Sequence, residues 1–415
     1  MSTKQRITLA VGLFGLLGAL ALVGWSDRLR HAVAGRAPEA LAVNVTSSAD
    51  EGPGTLREAL FIVASARTRM SIAIRTPTIA LKTALPPVVN AYGVRIFAAQ
   101  GGGEIDARAL AAGPVLDVTG ANVSLEGLAL RHCPAAAILL RAAHFHLQSS
   151  AIEGCDVGID AAENAGDVLI ERNRFAGDRV GIRFAGAGRN VAVTGNSFLQ
   201  CKDAGLWAVR AAAAAGAGTI SVRDNHFSGG NSAIVAGNIP VLVERNDFRD
   251  AAEAAVHLIG SGAAIRSNHV TGGAAMGIVA ENAPGAVIES NELDHLTTYA
   301  ILVRGSANAL VRANRIHACG YGLAFVLGDP RNPSVADGNT IIEPRFNGID
   351  VIGDSPILRR NQVLRPHALA LHAVDFQPPG GHSVLARPFL EDNNFRAEEQ
   401  PVVLGAAAPS TVRRQ

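Results

Sequence analysis

An asparagine returns at positions 173, 196, 225, 246, 268, 291, 314, 339 and 361, at intervals of 23, 29, 21, 22, 23, 23, 25 and 22 residues. A period in this range marks stacked structural units, none of which can bury its apolar face alone. Other landmarks keep the same beat. Three residues before the Asn stands Ile170, Val193, Val222, Val243, Ile265, Ile288, Val311, Ala336 or Leu358, and two after it stands Phe, Leu, Val or Ile. Eight or nine residues after it comes a small residue followed by an aliphatic one, from Gly181-Ile182 to Ala370-Leu371. Short alternating runs rich in β-branched residues are strands, and at this spacing they are too short for helices. Coils of about 22 residues built from such strands pair in parallel with their neighbours about 4.8 Å apart, which describes an all-β solenoid. The Asn is expected to be structural. It tolerates the left-handed backbone of a sharp turn, and its amide can hydrogen-bond from coil to coil.

The repeat resembles the right-handed parallel β-helix (pectate-lyase-like) superfamily. The segment VTSSADEGPGTLREAL, residues 45–60, is similar to the CSLREA segment that precedes such helices in secreted bacterial proteins, with Gly54-Thr55 in place of Cys-Ser. PTIALKTALPPVV, GVRIF and VLDVTGANVSLEGLAL resemble the first coils of the superfamily. The resemblance, over residues 43–400, implies the fold, but this fold carries lyases, hydrolases, epimerases, maturation factors and adhesins.

Residues 1–40 read as a signal anchor and linker, 41–400 as the β-helix with its cap, and 401–415 as a tail that adds a last strand. Lys4 and Arg6 precede an uncharged apolar stretch of nineteen residues, Ile7 to Trp25. That length spans a bilayer, while Ala32-Val33-Ala34 offers a cleavage site. The length of the stretch, with Arg28 and Arg30 before that site, favours an uncleaved transmembrane anchor over a cleaved signal. The fold resemblance implies the exported side, so the expected location is the inner membrane facing the periplasm. Without residues 1–40 the chain holds 32 Lys/Arg against 34 Asp/Glu, a balance that argues against nucleic acid as a partner. Thr55 with Glu58 makes a capping box, and Leu56, Ala59, Leu60, Ile62 and Val63 form one apolar face of a helix that closes the end of the core.

Cys133, Cys155, Cys201 and Cys319 occupy one turn in different coils. The first two lie in consecutive coils and can bond in an oxidising compartment. The others are expected to be buried and free. Neither the cysteine spacing nor the acidic residues match a metal motif, so no cofactor or metal is expected. His226 and His269 flank Asp247 in the column after the Asn, but consecutive coils space them singly.

Outward positions of a solenoid stack into columns, and the chemistry is sought there. The residue after each aliphatic landmark reads Asp160, Arg183, Trp207, Val235, His257, Val279, Leu302, Ala324, Asp350 and His372. The position before the small landmark brings Tyr299 over Tyr321, two of the three tyrosines in the chain. With His295, His317, Glu343 and Arg345 nearby, the proposed catalytic set is Tyr299, His317, Tyr321, Arg345, Asp350 and His372. Trp207, His257 and His295 are the substrate-binding candidates, although packing of Trp207 beneath the Ala-rich 210–218 loop is the stronger reading for it. An Arg that neutralises a uronate carboxylate while a Tyr or His removes the adjacent ring proton is the logic of a uronate lyase or epimerase. Against it, lysine occurs only at 4, 82 and 202, and GDPRNP, residues 328–333, shares only Asp-Pro with the Asp-Pro-His-Asp motif of alginate epimerases. The expected partner is a polysaccharide. The rival is a non-catalytic binding or scaffold protein.

Overall fold

The computed structural model describes residues 41–396 and 402–404, apart from 100, 164, 187, 211–217, 261, 274 and 380. The expected anchor over 7–25 and most of the Ala-rich loop lie outside these residues. Among the described residues, no helix is long and apolar enough to cross a membrane.

Three parallel sheets of 15, 14 and 13 strands run along the molecule, and each full coil contributes one strand to each. Val191–Thr194, Ser197–Leu199 and Ala204–Val209 are one such coil. Within it Val191, Val193, Phe198, Leu206 and Ala208 point inward and are buried. The landmarks of the sequence are these inward positions. Three before the Asn is the first sheet, two after it the second, and the small-aliphatic pair the third. A Cβ at Gly181 would lie 2.6 Å from the Gly205 carbonyl oxygen and 2.9 Å from the Phe198 ring, so close packing demands the small residue there. Phe175, Phe198, Phe227 and Phe248 stack with centroids 4.9, 4.5 and 5.1 Å apart.

The Asn ladder is built as expected in its amides but not in its backbone. Asn246 Nδ2 donates to Val222 O at 2.9 Å and to Asn268 Oδ1 at 3.0 Å, and Asn246 Oδ1 accepts from Asn225 N at 2.9 Å. The pattern repeats from Asn173 to Asn361. Ser150, whose N–H donates to Asn173 Oδ1, ends the ladder on one side. Asn393 adds a rung that the periodicity missed, because the interval from 361 is stretched by an insertion. The left-handed residue is the one before the Asn: Arg172, Asp224, Arg245, Ser267, Ser290, Ala313 and Arg360 all have φ between 52 and 55°. The Asn itself is buried, its amide committed inside the corner, and this lattice of bonds holds an otherwise unfavourable φ in place.

The N-terminal helix runs Leu56–Ser65. Thr55 Oγ1 accepts from Glu58 N at 3.3 Å, and Glu58 Oε2 accepts from Gly54 N at 2.6 Å, so the box closes one residue earlier than the standard pattern. Leu56, Ala59, Leu60 and Val63 join the core, whereas Ile62, expected on that face, is 42% exposed. Its position falls beyond the stripe that meets strand Met70–Ile74. Asn90 Nδ2 caps the far end by donating to Val63 O and Ala66 O. At the other end, Val402–Leu404 pairs with Leu371–Ala373 and supplies the last strand expected of the tail.

Cys133 and Cys155 are bonded. Cys201 and Cys319 are buried and free, and burial pushes the Cys319 thiol up to about 11. Between the bonded pair and Cys201 the same corner holds Asp178. It is fully buried and its Oδ1 accepts from Cys155 N at 2.8 Å, while Oδ2 has no partner.

Candidate functional site

The register of the third sheet confirms the outward column of the sequence. Asp160 pairs with Arg183, Arg183 with Trp207, and so on through Val235, His257, Val279, Leu302 and Ala324 to Asp350 and His372. Its middle is apolar, with Val235, Val279 and Ala324 buried. Trp207 is 37% exposed, and His257 Nε2 lies 3.4 Å from Glu281 Oε2. The Asp160 end of the column is closed by a bidentate Arg183.

The other end carries more elaborate chemistry. Tyr299 and Tyr321 stack with centroids 4.7 Å apart, and Tyr321 continues onto Phe346 at 4.9 Å. Phe346 is 49% exposed. Sequence columns missed it because it sits in the turn before Gly348-Ile349, out of the strand register. Beside this stack, Asp350 is 3% exposed, and its Oδ1 is 2.8 Å from Asn347 Nδ2 and 3.1 Å from His372 Nδ1. Asn347 is itself held by Leu369 N on its Oδ1. Burial raises the Asp350 carboxyl above its ordinary range, against the pull of Asn347 and His372. Burial also raises the Tyr299 phenol, and the Asp350 charge and Tyr321 add to it. No hydrogen bond among the described residues engages His372 Nε2. The pair thus ties Nδ1 of His372 to the Asp350 carboxyl and leaves Nε2 without a hydrogen bond among the described residues, an arrangement suited to a general acid–base.

The single cluster expected from the sequence is divided by the corner between the second and third sheets. His317 ends the second-sheet strand Arg315–His317, opposite Asp294 of the preceding coil. Its Nδ1 is 2.7 Å from Asp294 Oδ1, and His295 Nδ1 is 2.9 Å from Asp294 Oδ2. Burial alone would raise the Asp294 carboxyl, but the hydrogen bonds from His295 and His317 outweigh it and hold the group below its ordinary value. Arg345 lies in the corner, where its Nη2 donates to Leu296 O at 2.7 Å. Among the described residues no hydrogen bond or ion pair joins His295, His317 or Arg345 to Tyr299, Tyr321, Asp350 or His372. A corner of three residues, 296–298 in one coil and 318–320 in the next, separates residues that sequence proximity had grouped together.

The trio at His226, Asp247 and His269 is assembled, with Asp247 accepting from both imidazoles, but Arg249 Nε also sits 2.9 Å from Asp247 Oδ2. A guanidinium in that position opposes a cation.

A model described as "Right handed beta helix region" matches residues 89–216 and 210–363. The chain belongs to the right-handed β-helix family. No curated protein matches this β-helix in sequence. Among solved structures it is similar to the catalytic unit of an α-1,3-glucanase from Streptomyces thermodiastaticus strain HF3-3, at 14% identity and TM-score 0.51, covering 87% of this chain and 69% of that one. PfbA, a surface adhesin of Streptococcus pneumoniae, aligns at 12% identity and TM-score 0.50 over 85% of this chain and 99% of its own. The A-module of the mannuronan C-5 epimerase AlgE4 from Azotobacter vinelandii aligns at 12% identity and TM-score 0.44, over 88% and 100%. The similarity to polysaccharide-active β-helix enzymes is distant, and at these identities it shows the fold alone.

Proposed function

We propose that the third-sheet face binds a polysaccharide across the Tyr299–Tyr321–Phe346 stack, and that the Asp350–His372 pair performs acid–base chemistry on a bound sugar ring of the uronate lyase or C5-epimerase type. The observation that carries this reading is a half-buried aromatic stack, ending in the exposed Phe346, beside a buried carboxylate whose histidine partner offers a free ring nitrogen. Aromatic faces cover the C–H face of a pyranose at little entropic cost. His372 Nε2 takes the ring proton next to the uronate carboxylate. The electron pair then either expels the C4 oxygen, which takes a proton from the Tyr321 hydroxyl and leaves an unsaturated sugar, or recaptures a proton from that hydroxyl on the opposite face of the ring. Asp350 orients the imidazole. That the α-1,3-glucanase is a polysaccharide enzyme agrees with the ligand class.

The test uses the purified chain with a panel of acidic and neutral polysaccharides, following binding, unsaturated-product absorbance and exchange of ring protons with deuterium. Phe346→Ala should lose binding, and His372→Gln should lose turnover while still binding. Binding that survives Phe346→Ala refutes the site. Binding without either product or exchange leaves the chain as a carbohydrate-binding or scaffold protein. The same proposal places the β-helix outside the cytoplasm, tethered through residues 7–25 or released by cleavage, and the Cys133–Cys155 bond supports an oxidising compartment. A compartment-sensitive reporter fused behind residue 415 tests it, and a cytoplasmic signal rejects it.

A further inference from the structure

We propose that Asp294, His295 and His317 form a binding site for a zinc-like divalent transition metal on the outer surface of the second sheet. One carboxylate oxygen and the two imidazole nitrogens lie within 4.8 Å of one another. A tetrahedral site with bonds of about 2.0–2.1 Å needs ligand atoms about 3.4 Å apart, so a small inward closing completes three corners and leaves the fourth to water. Two imidazoles with one carboxylate are one of the donor sets that zinc takes in open sites.

The surroundings distinguish this trio from an ordinary ion pair. His317 turns its other nitrogen, Nε2, towards Glu343 Oε2 at 3.5 Å, and Arg365 Nε holds Glu343 at 2.9 Å. A carboxylate on the far nitrogen of a ligating histidine fixes the ring and its tautomer, which is the usual support for a metal ligand. His295 occupies a left-handed turn position, φ 56°, whose counterparts in the coils on either side are Gly272 and Ala318. These small neighbours leave the imidazole room to approach. Thr271 and Ile342 flank Asp294 and His317 in register, so no charged residue adjoins the pair directly in the column. The contrast lies within the same sheet. Asp247 also bridges two histidines, but there Arg249 occupies the carboxylate, whereas the ion-pair partners of Asp294 among the described residues are His295 and His317 alone. The site is independent of the polysaccharide reading.

The experiment is equilibrium dialysis of the purified full chain against Zn2+, with metal counted per chain, and Co2+ substitution to read the visible d–d spectrum. One equivalent is expected to bind, with the intense Co2+ bands of a four-coordinate nitrogen and oxygen site. His317→Ala and His295→Asn should each remove that equivalent and those bands, and Glu343→Gln should weaken binding about 10-fold. Asparagine is at ease in the left-handed turn, so an unchanged melting temperature for His295→Asn separates loss of ligand from loss of fold. His269→Ala, at the Arg-blocked trio, should bind as the parent does. No bound equivalent in the parent, binding that persists in His317→Ala or His295→Asn, or binding lost in His269→Ala would overturn the assignment.

Discussion

Replacing Asp178 with Asn should stabilise the protein, and by an amount that grows with pH. In the folded chain burial is the dominant influence on this carboxyl and pushes it up to about 8 from its ordinary 3.8, with the Cys155 N–H pulling weakly the other way and Glu153 adding to the rise. The folded state therefore keeps a proton that the unfolded chain has already released. This group's contribution is complete below about pH 4 and is lost at about 1.4 kcal/mol per pH unit up to about pH 8. By about pH 7 the accumulated cost is on the order of 4 kcal/mol, a large share of a typical folding stability. Asn is a neutral isostere that keeps the acceptor for Cys155 N, as the ladder asparagines do for their own neighbours, and it has no charge to bury. Urea unfolding of parent and variant at intervals across this range isolates the effect, because every other titrating group is common to both chains. The stability difference should widen in favour of Asp178→Asn as pH rises and level off above about pH 8. A difference that stays constant with pH would show that Asp178 is not buried as a neutral acid, and the reasoning would fail.

Other outcomes follow from the same coordinates. Asn246→Ala removes the acceptor of Asn225 N and the donor to Val222 O inside a buried corner, and should cost about 2–4 kcal/mol in chemical denaturation. Phe198→Ala opens the middle of the four-ring stack and should cost about 3–5 kcal/mol. Replacing Cys133 and Cys155 together by Ser releases a loop spanning 22 residues and should lower stability by about 3 kcal/mol, with no further loss on adding reductant. For the proposed site, Tyr321→Phe should retain polysaccharide binding, since the stack survives, while turnover falls if its hydroxyl is the proton donor. Equal turnover would remove that role from Tyr321.

Much of the architecture was legible before any coordinate. The recurring Asn, the aliphatic residue three before it, the apolar residue two after it and the small-aliphatic pair are the four inward points of each coil. Inward points of a solenoid repeat because each must stack on its copy. The pairing of Cys133 with Cys155 and the column ending in Asp350 and His372 follow from the same arithmetic, as neighbours one period apart must meet. An alternating ladder on the first sheet, Arg223, Glu244, Arg266, Glu289, Arg312, Asp337 and Arg359, follows from the same period.

Sequence by itself therefore determined what is periodic: the parallel sheets, the core stacks, the amide ladder and which outward residues share a column. Only the tertiary structure decided what depends on direction within a coil. It put the left-handed residue before the Asn, since the buried amide leaves its neighbour to make the turn. It separated His295 and His317 from Tyr299 and Asp350, since a corner of three residues rotates side chains onto different faces. It brought Phe346 onto Tyr321 from outside the register, and it left Asp178 without a charge partner in a corner otherwise filled by cysteines. Spacing along a chain reports which rung a residue occupies, whereas the turn between strands decides which way that rung faces.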